Sequence, residues 1–219
     1  MKNDHYFTEN PRSPRNERTI RLLYRGRILK LTTSGGVFAS EGLDPGTALL
    51  VANLVLRGDE RVLDLGCGWG PIGIAAALSL PTGSVLMTDV NKRAVDLARR
   101  NARDAGATNV EVRAGTLYLP AGEERFDVIL SNPPYKAGRE TVLKILTEAP
   151  RHLREGGKFL LVGKGGQGIL YYQHFLEEHW SHVEVLARGG GYRVLEARGP
   201  PQNVAAVASI LGTQSLSRP

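Results

Sequence analysis

The chain has 219 residues, 42% of them hydrophobic and 23% charged, which excludes wholesale disorder and provides for one sizeable core. No run approaches about 20 consecutive apolar residues, the start Met1-Lys2-Asn3-Asp4-His5 has no apolar signal core, and Cys67 is the single cysteine, so a cytoplasmic protein with no membrane contact is expected. The net charge is +6, and residues 1–30 hold eight bases against three acids, a net of +5 that points to a polyanionic partner.

Residues 1–18 are polar with Pro11 and Pro14 and read as a loose basic arm. Residues 19–45 read as a β extension: Ile20, Leu22 and Tyr24, then Ile28, Leu29 and Leu31, flank Gly26 as in a hairpin, and Gly35-Gly36 turns the chain before Val37-Phe38. A helix is expected over 46–56, then a buried strand over 61–65 that ends in glycines. The helix over 71–80 is stopped by Pro81, and Asn91 caps another over 92–105 that Gly106 ends. Strands are expected at 84–88, 110–112, 126–130, 158–162 and 182–186, with helices over 139–154 and 168–180. Residues 192–197 and 204–211 read as a closing hairpin, and 213–219 as a tail. This alternation predicts an α/β, Rossmann-like domain over 46–212, with a mainly parallel sheet covered on both faces.

Asp64-Leu65-Gly66-Cys67-Gly68-Trp69-Gly70-Pro71-Ile72-Gly73 joins the first strand of this domain to its helix. Glycines let the backbone turn sharply and approach a ligand closely. Nineteen residues past Gly70, Asp89 closes the next strand, where a carboxylate can take both hydroxyls of a ribose. Gly68-x-Gly70-x-x-Gly73 also fits a dinucleotide fingerprint. Charge separates the two ligands, because Asp64 would repel a pyrophosphate and suits a cationic ligand. The Asp-x-Gly-x-Gly-x-Gly spacing resembles the cofactor loop of class I S-adenosylmethionine-dependent methyltransferases. The resemblance implies a seven-stranded sheet with the β-hairpin as an N-terminal extension. It places Asp64, Gly66, Cys67, Gly68 and Gly70 along the methionine end, Asp89 on the ribose, and Val90 and Asn91 beside the adenosine. Gly115 and Thr116 would meet the adenine, although many members carry an acid where Thr116 stands.

Ser131-Asn132-Pro133-Pro134-Tyr135 follows the fourth strand of the domain, at the same crevice. A planar exocyclic amine is a poor nucleophile, because its lone pair is delocalised. The Asn132 side-chain oxygen and the Pro133 carbonyl can accept its two N–H groups and hold the lone pair toward a methyl donor. Pro133 and Pro134 fix the backbone and leave carbonyls aimed outwards. Tyr135 can stack on a base that is flipped out or unpaired. Amino-methyltransferases of DNA, of RNA and of a release-factor glutamine share this motif, so the acceptor stays open among planar amines.

Phe38-x5-Asp44-x-Gly46-Thr47-x-Leu49-Leu50, the glycine loop and Asn132-Pro133-Pro134-Tyr135 together resemble the catalytic domain of the small-subunit ribosomal RNA guanine-N2 methyltransferase family. The likeness is to short members that carry that domain alone, and runs over residues 18–211. It implies a ribosomal RNA substrate modified at guanine N2, with Phe38 and Thr47 as further cofactor contacts. Adenine-N6 methylation of RNA or DNA is the alternative, and a cofactor-binding RNA assembly factor without turnover is a second, against which the intact Asn132 motif argues. His174, His179 and His182 lack Cys or carboxylate partners at ligand spacing, so no metal is expected. Lys164 and Gln167 fit a substrate groove and a plain strand–helix turn equally well.

Overall fold

Val62, Leu63 and Leu65 place apolar side chains on both faces of one short strand, an arrangement that needs cover on both sides. That strand, β3 (Arg61–Leu65), lies inside a seven-stranded sheet, third from one edge. The structure, a computed structural model, describes residues 8–199. The sheet is completed by β4 (Ser84–Asp89), β5 (Val110–Ala114), β6 (Phe126–Ser131), β7 (Leu153–Lys164), β8 (His182–Gly189) and β9 (Tyr192–Arg198). Its order is β5-β4-β3-β6-β7-β9-β8, parallel from β3 to β7, with β9 antiparallel to both of its neighbours. Helices α1 (Pro45–Ala52), α2 (Pro71–Ala77) and α3 (Lys92–Asp104) cover one face, and α4 (Arg139–Glu148) and α5 (Ile169–His179) the other. The fold class agrees with the sequence expectation.

Ahead of the sheet, β1 (Arg18–Tyr24) and β2 (Arg27–Thr33) form an antiparallel hairpin. Arg25 and Gly26 both have positive φ, 47° and 74°, as a two-residue type I′ turn requires. Leu22, Tyr24, Leu29 and Leu31 face inward, and Arg21 and Lys30, paired with each other across the two strands, face out. Asn101 of α3, almost wholly buried, holds the hairpin in place. Its amide accepts from the Thr32 N–H at 2.7 Å and donates to the carbonyls of Thr32 and Trp69, both at 2.8 Å.

Several boundaries differ from expectation. Helix α4 ends at Glu148 rather than 154, because Pro150 has no N–H to continue the ladder, and a short 3-10 turn leads into a longer β7. Residues 192–197 do form a strand, but its hairpin partner is β8, through Gly190-Gly191, and its other neighbour is β7. The expected partner, residues 204–211, lies outside the described residues. The loose arm is also corrected over 8–17. Arg93 donates to the carbonyls of Pro11 and Ser13, each at 2.8 Å, the Lys92 N–H donates to the Glu9 carbonyl, and Glu17 pairs with Arg100. The segment with the two prolines is thus tied along its length to α3 residues. Among the described residues no helix is long and apolar enough to cross a membrane.

Candidate active site

From β3 the chain winds outward through β4 to β5, then returns to the middle for β6 and winds the other way. The loops after β3 and β6 therefore part company at the carboxyl end of the sheet, where an open α/β sheet leaves a crevice. Every motif singled out above lies on one of the loops around it.

The glycine loop is held rigid by its own backbone. The N–H groups of Gly66 and Cys67 both donate to the Thr88 carbonyl at 2.9 Å, and the Gly68 N–H donates to Asp89 Oδ2 at 2.8 Å. Gly66, Gly68 and Gly70 adopt φ of 76°, 55° and 94°, a region that other residues occupy only at a cost. Gly73 serves by its size: a Cβ there would strike Met87 and come within 2.9 Å of Asp64 Oδ2.

Two carboxylates give the site its charge. Asp64 is fully buried behind the loop; its Oδ2 accepts from the Gly73 N–H at 2.8 Å, and its Oδ1 has no partner among the described residues. Burial pushes its pKa up to about 7, against the pull of the Gly73 N–H and with help from the charge of Asp89. Asp89 accepts from the N–H groups of Gly68 and Asn91, both at 2.8 Å, and burial raises its pKa to about 6 in spite of them. Among the described residues no lysine, arginine or histidine lines the crevice. Such a site rejects a pyrophosphate and accepts a cation. Cys67 is buried, and burial holds its thiol well above the usual range, so it is no nucleophile.

Asn132 has a fixed amide. Its Nδ2 donates to Asp44 Oδ2 at 2.9 Å and to Thr47 Oγ1 at 3.0 Å, which leaves Oδ1 as the atom turned away from them. Asp44 is the N-cap of α1 and also accepts from the Thr47 N–H at 2.8 Å. The proline carbonyls are partly committed, contrary to the expectation that both point outwards. Pro133 accepts from the Tyr135 N–H and Pro134 from the Ala137 N–H, both at 2.8 Å, as the prolines fold the chain into a tight turn. Each carbonyl keeps one lone pair. Tyr135 is half-buried, its hydroxyl donates to the Val162 carbonyl at 2.7 Å, and its ring lies over Gly163.

A cavity of about 310 Å³ opens between these loops. Of the residues singled out from the sequence, Phe38, Gly66, Gly68, Asp89 and Val90 line it. Gly115 and Thr116, after β5, and Asn132, Pro133 and Pro134, after β6, line it too. Thr47 and Cys67 line a smaller adjoining recess at the Asn132 end. Asp64, Gly70, Asn91 and Tyr135 lie outside the cavity wall. Gly70 is the N-cap of α2, and Asn91, fully buried, caps α3 and donates to the Gly36 carbonyl at 2.8 Å. Phe38 is held by a 3.0 Å hydrogen bond from the Trp69 indole to its carbonyl. The sequence reading missed Ala137, Thr141 and Ile145, which together with Leu117, at the strand end expected to meet the adenine, add a mostly apolar wall. It quoted Asp44 within a longer stretch without assigning it a role. Among the described residues no group of three or more His, Cys, Asp or Glu could hold a metal.

Fold and site together define a class I S-adenosylmethionine-dependent methyltransferase. The chain belongs to the methyltransferase small domain family, which matches residues 28–196. It is 33% identical over 197 residues to YbxB of Bacillus subtilis, spanning 89% of this chain and 98% of that protein. It is 34% identical over 167 residues to ribosomal RNA small subunit methyltransferase C of Haemophilus influenzae, spanning 74% of this chain and 49% of the relative. The 16S rRNA N2 G1207 methyltransferase of T. thermophilus, solved with AdoMet and guanosine, superimposes with a TM-score of 0.74 at 26% identity. That match covers 86% of this chain and 52% of the other, so the chain spans about half the length of the ribosomal RNA methyltransferases it resembles.

Proposed function

We propose that the chain transfers a methyl group from S-adenosylmethionine to an exocyclic amine of a base in RNA, specifically N2 of guanine in ribosomal RNA. The observation that carries this reading is the Asn132 amide, locked by Asp44 and Thr47 with its oxygen left to accept. The pocket fits the cofactor on its own evidence: a buried, unpartnered Asp64 oxygen, a second carboxylate, no basic lining residue and an apolar wall. Guanine N2 is supported by the T. thermophilus neighbour, and ribosomal RNA by the same protein and the H. influenzae relative. Such a substrate places the chain in the cytoplasm.

When bound, S-adenosylmethionine supplies a methyl carbon made electrophilic by its sulfonium. Asp89 would take the ribose hydroxyls with the lone pairs that Gly68 and Asn91 leave available, and the two carboxylates would favour the cationic end. Leu117, Ala137 and Ile145 would receive the adenine. Asn132 Oδ1 accepts one N–H of the target amine, and the remaining lone pair of the Pro133 carbonyl accepts the other. Held this way, the amine nitrogen would keep its lone pair free for the methyl group that the bound donor would supply, the donor leaving as S-adenosylhomocysteine, and the two oxygens would disperse the positive charge on the nitrogen. The methylated nitrogen would then release one proton to water. Tyr135, tethered at its hydroxyl, serves as a fixed wall for the base.

Nucleoside mass spectrometry of small-subunit ribosomal RNA, from cells with and without the gene, tests this. Loss of N2-methylguanosine is the expected result. Loss of N6-methyladenosine instead would move the acceptor to adenine, and an unchanged nucleoside profile would overturn the proposed activity.

A further inference from the structure

We propose that Arg139 and Tyr171 form a stacking platform for a nucleotide that flanks the target base, a subsite that rests on the RNA reading above. Helix α4 begins four residues past Tyr135, and α5 begins just past the glycine-rich turn after β7. Their first turns meet at the surface. The Arg139 guanidinium carbon lies 5.6 Å from the centroid of the Tyr171 ring. Tyr171 meets Tyr172 edge-on, with centroids 5.4 Å apart, and Tyr172 in turn lies 5.8 Å from Tyr135. Three aromatic rings thus run from the Asn-Pro-Pro-Tyr turn to the surface and end beneath a cation.

Tyr171 is 46% exposed and its neighbour Leu170 is 53% exposed, among the few large apolar side chains that the described surface leaves in water. Arg139, Lys136 in the turn before α4 and Lys164 at the end of β7 are exposed, and none forms an ion pair among the described residues, although Lys164 lies 5.5 Å from the Tyr192 ring centroid. The nearest acid on α4, Glu140, is taken by Lys144 at 2.9 Å. Planar side chains set among unpaired cations are what a single strand of RNA requires. The bases stack on rings and guanidinium planes, and the phosphates meet the lysines. The platform is continuous with the turn that holds the target amine, so its occupant is a nucleotide of the same strand as the target base.

The test is binding of a single-stranded RNA of about 12 nucleotides with one guanine, within the span such surfaces cover. A second probe has abasic sites on both sides of that guanine. Tyr171→Ala should weaken binding of the first probe by about 5–100-fold, from the usual value of one base–aromatic stack, while Tyr171→Phe binds as wild type does. The abasic probe should bind wild type and Tyr171→Ala alike, and S-adenosylmethionine affinity should not change in either variant. Equal binding of the intact probe by wild type and Tyr171→Ala, with wild type still methylating ribosomal RNA, overturns the platform alone. Failure of wild type to bind or methylate any RNA overturns the RNA reading and the platform with it. A defect of Tyr171→Ala confined to assembled ribosomal subunits, and absent on naked RNA, assigns the patch to a protein and overturns the proposal.

Discussion

The Asp44 carboxylate and the Asn132 amide stand 88 residues apart in the chain and 2.9 Å apart in space. Asp44 caps the first turn of α1 with the same oxygen, Oδ2, that receives the amide, so one atom anchors a helix and orients the Asn132 side chain. A carboxylate can only accept here, which forces Asn132 to turn its NH₂ inward and its oxygen outward. Tyr192 adds a hydroxyl to the same carboxylate.

Removing Asp44 should therefore damage the reaction more than the binding of the cofactor. Asp44→Ala is expected to lower kcat for methyl transfer by roughly 10-fold or more, and Asn132→Ala by on the order of 100-fold, with S-adenosylmethionine affinity nearly unchanged in both. Asp44→Asn keeps an acceptor oxygen and should recover part of the loss. The double variant should be no slower than Asn132→Ala alone, because the two side chains act through one amide. Single-turnover rates beside calorimetric affinities decide it, and additive losses would separate the two residues.

Asp89 should govern cofactor affinity. Asp89→Ala is expected to weaken S-adenosylmethionine by about 10–100-fold, the value of charge-assisted bonds to two hydroxyls. The raised pKa values, about 7 for Asp64 and about 6 for Asp89, give a pH dependence of defined sign. A cationic ligand favours the ionised carboxyls, so affinity should fall as pH drops from about 7.5 to 5, and binding near pH 6 should release protons. Without ligand the trend reverses. Between about pH 4 and 7 the folded chain binds more protons at these groups than the unfolded chain does, so they lower stability as pH rises. Calorimetry in buffers of different ionisation enthalpy reads the proton release directly, and proton uptake would refute it.

Asn101 should be worth more to stability than its place on a helix implies. Asn101→Leu leaves the Thr32 N–H and the carbonyls of Thr32 and Trp69 without their partner. Each buried group so stranded costs about 1–3 kcal/mol. A large fall in Tm is expected, with loss of hydrogen-exchange protection concentrated in β1 and β2. Protection lost evenly across the sheet would place the role of Asn101 elsewhere.

The basic excess can be tested on the hairpin. Arg21, Arg25 and Lys30 are exposed there and join no ion pair among the described residues, whereas the nearby acids Glu9 and Glu17 are spent on Lys92 and Arg100. Replacing the three with serine should flatten the dependence of RNA affinity on salt by up to about 2 in log–log slope, at about 0.7 for each phosphate contact. Coincident slopes would mark the hairpin as a solvated surface.

How much of this was legible depended on whether the signal was local. Strand β3, its glycine loop and Asp89 follow from a hydrophobic run, a cluster of glycines and a fixed spacing, all within thirty residues. Asn132 shows itself through its prolines. Asp44 stands in the sequence only as one residue of a longer stretch, and no local feature reveals that it caps α1 and also reaches the β6 loop. Thr141 and Ile145 belong to an ordinary amphipathic helix and Ala137 to the short turn before it, so their share in the pocket wall emerges only when α4 packs beside β6. Asn101 has the same disguise, a polar residue amid charged ones on α3 whose burial depends on a hairpin docked from outside the sheet.

The pocket wall runs from Phe38 to Ile145, and this has a bearing on how the protein is made. A chain growing on the ribosome has the glycine loop and Asp89 long before it has the Asn132 amide or the apolar wall of α4. The places for methyl donor and acceptor are thus completed together, late in synthesis, and every shorter nascent chain lacks both a finished cofactor pocket and the means to use it.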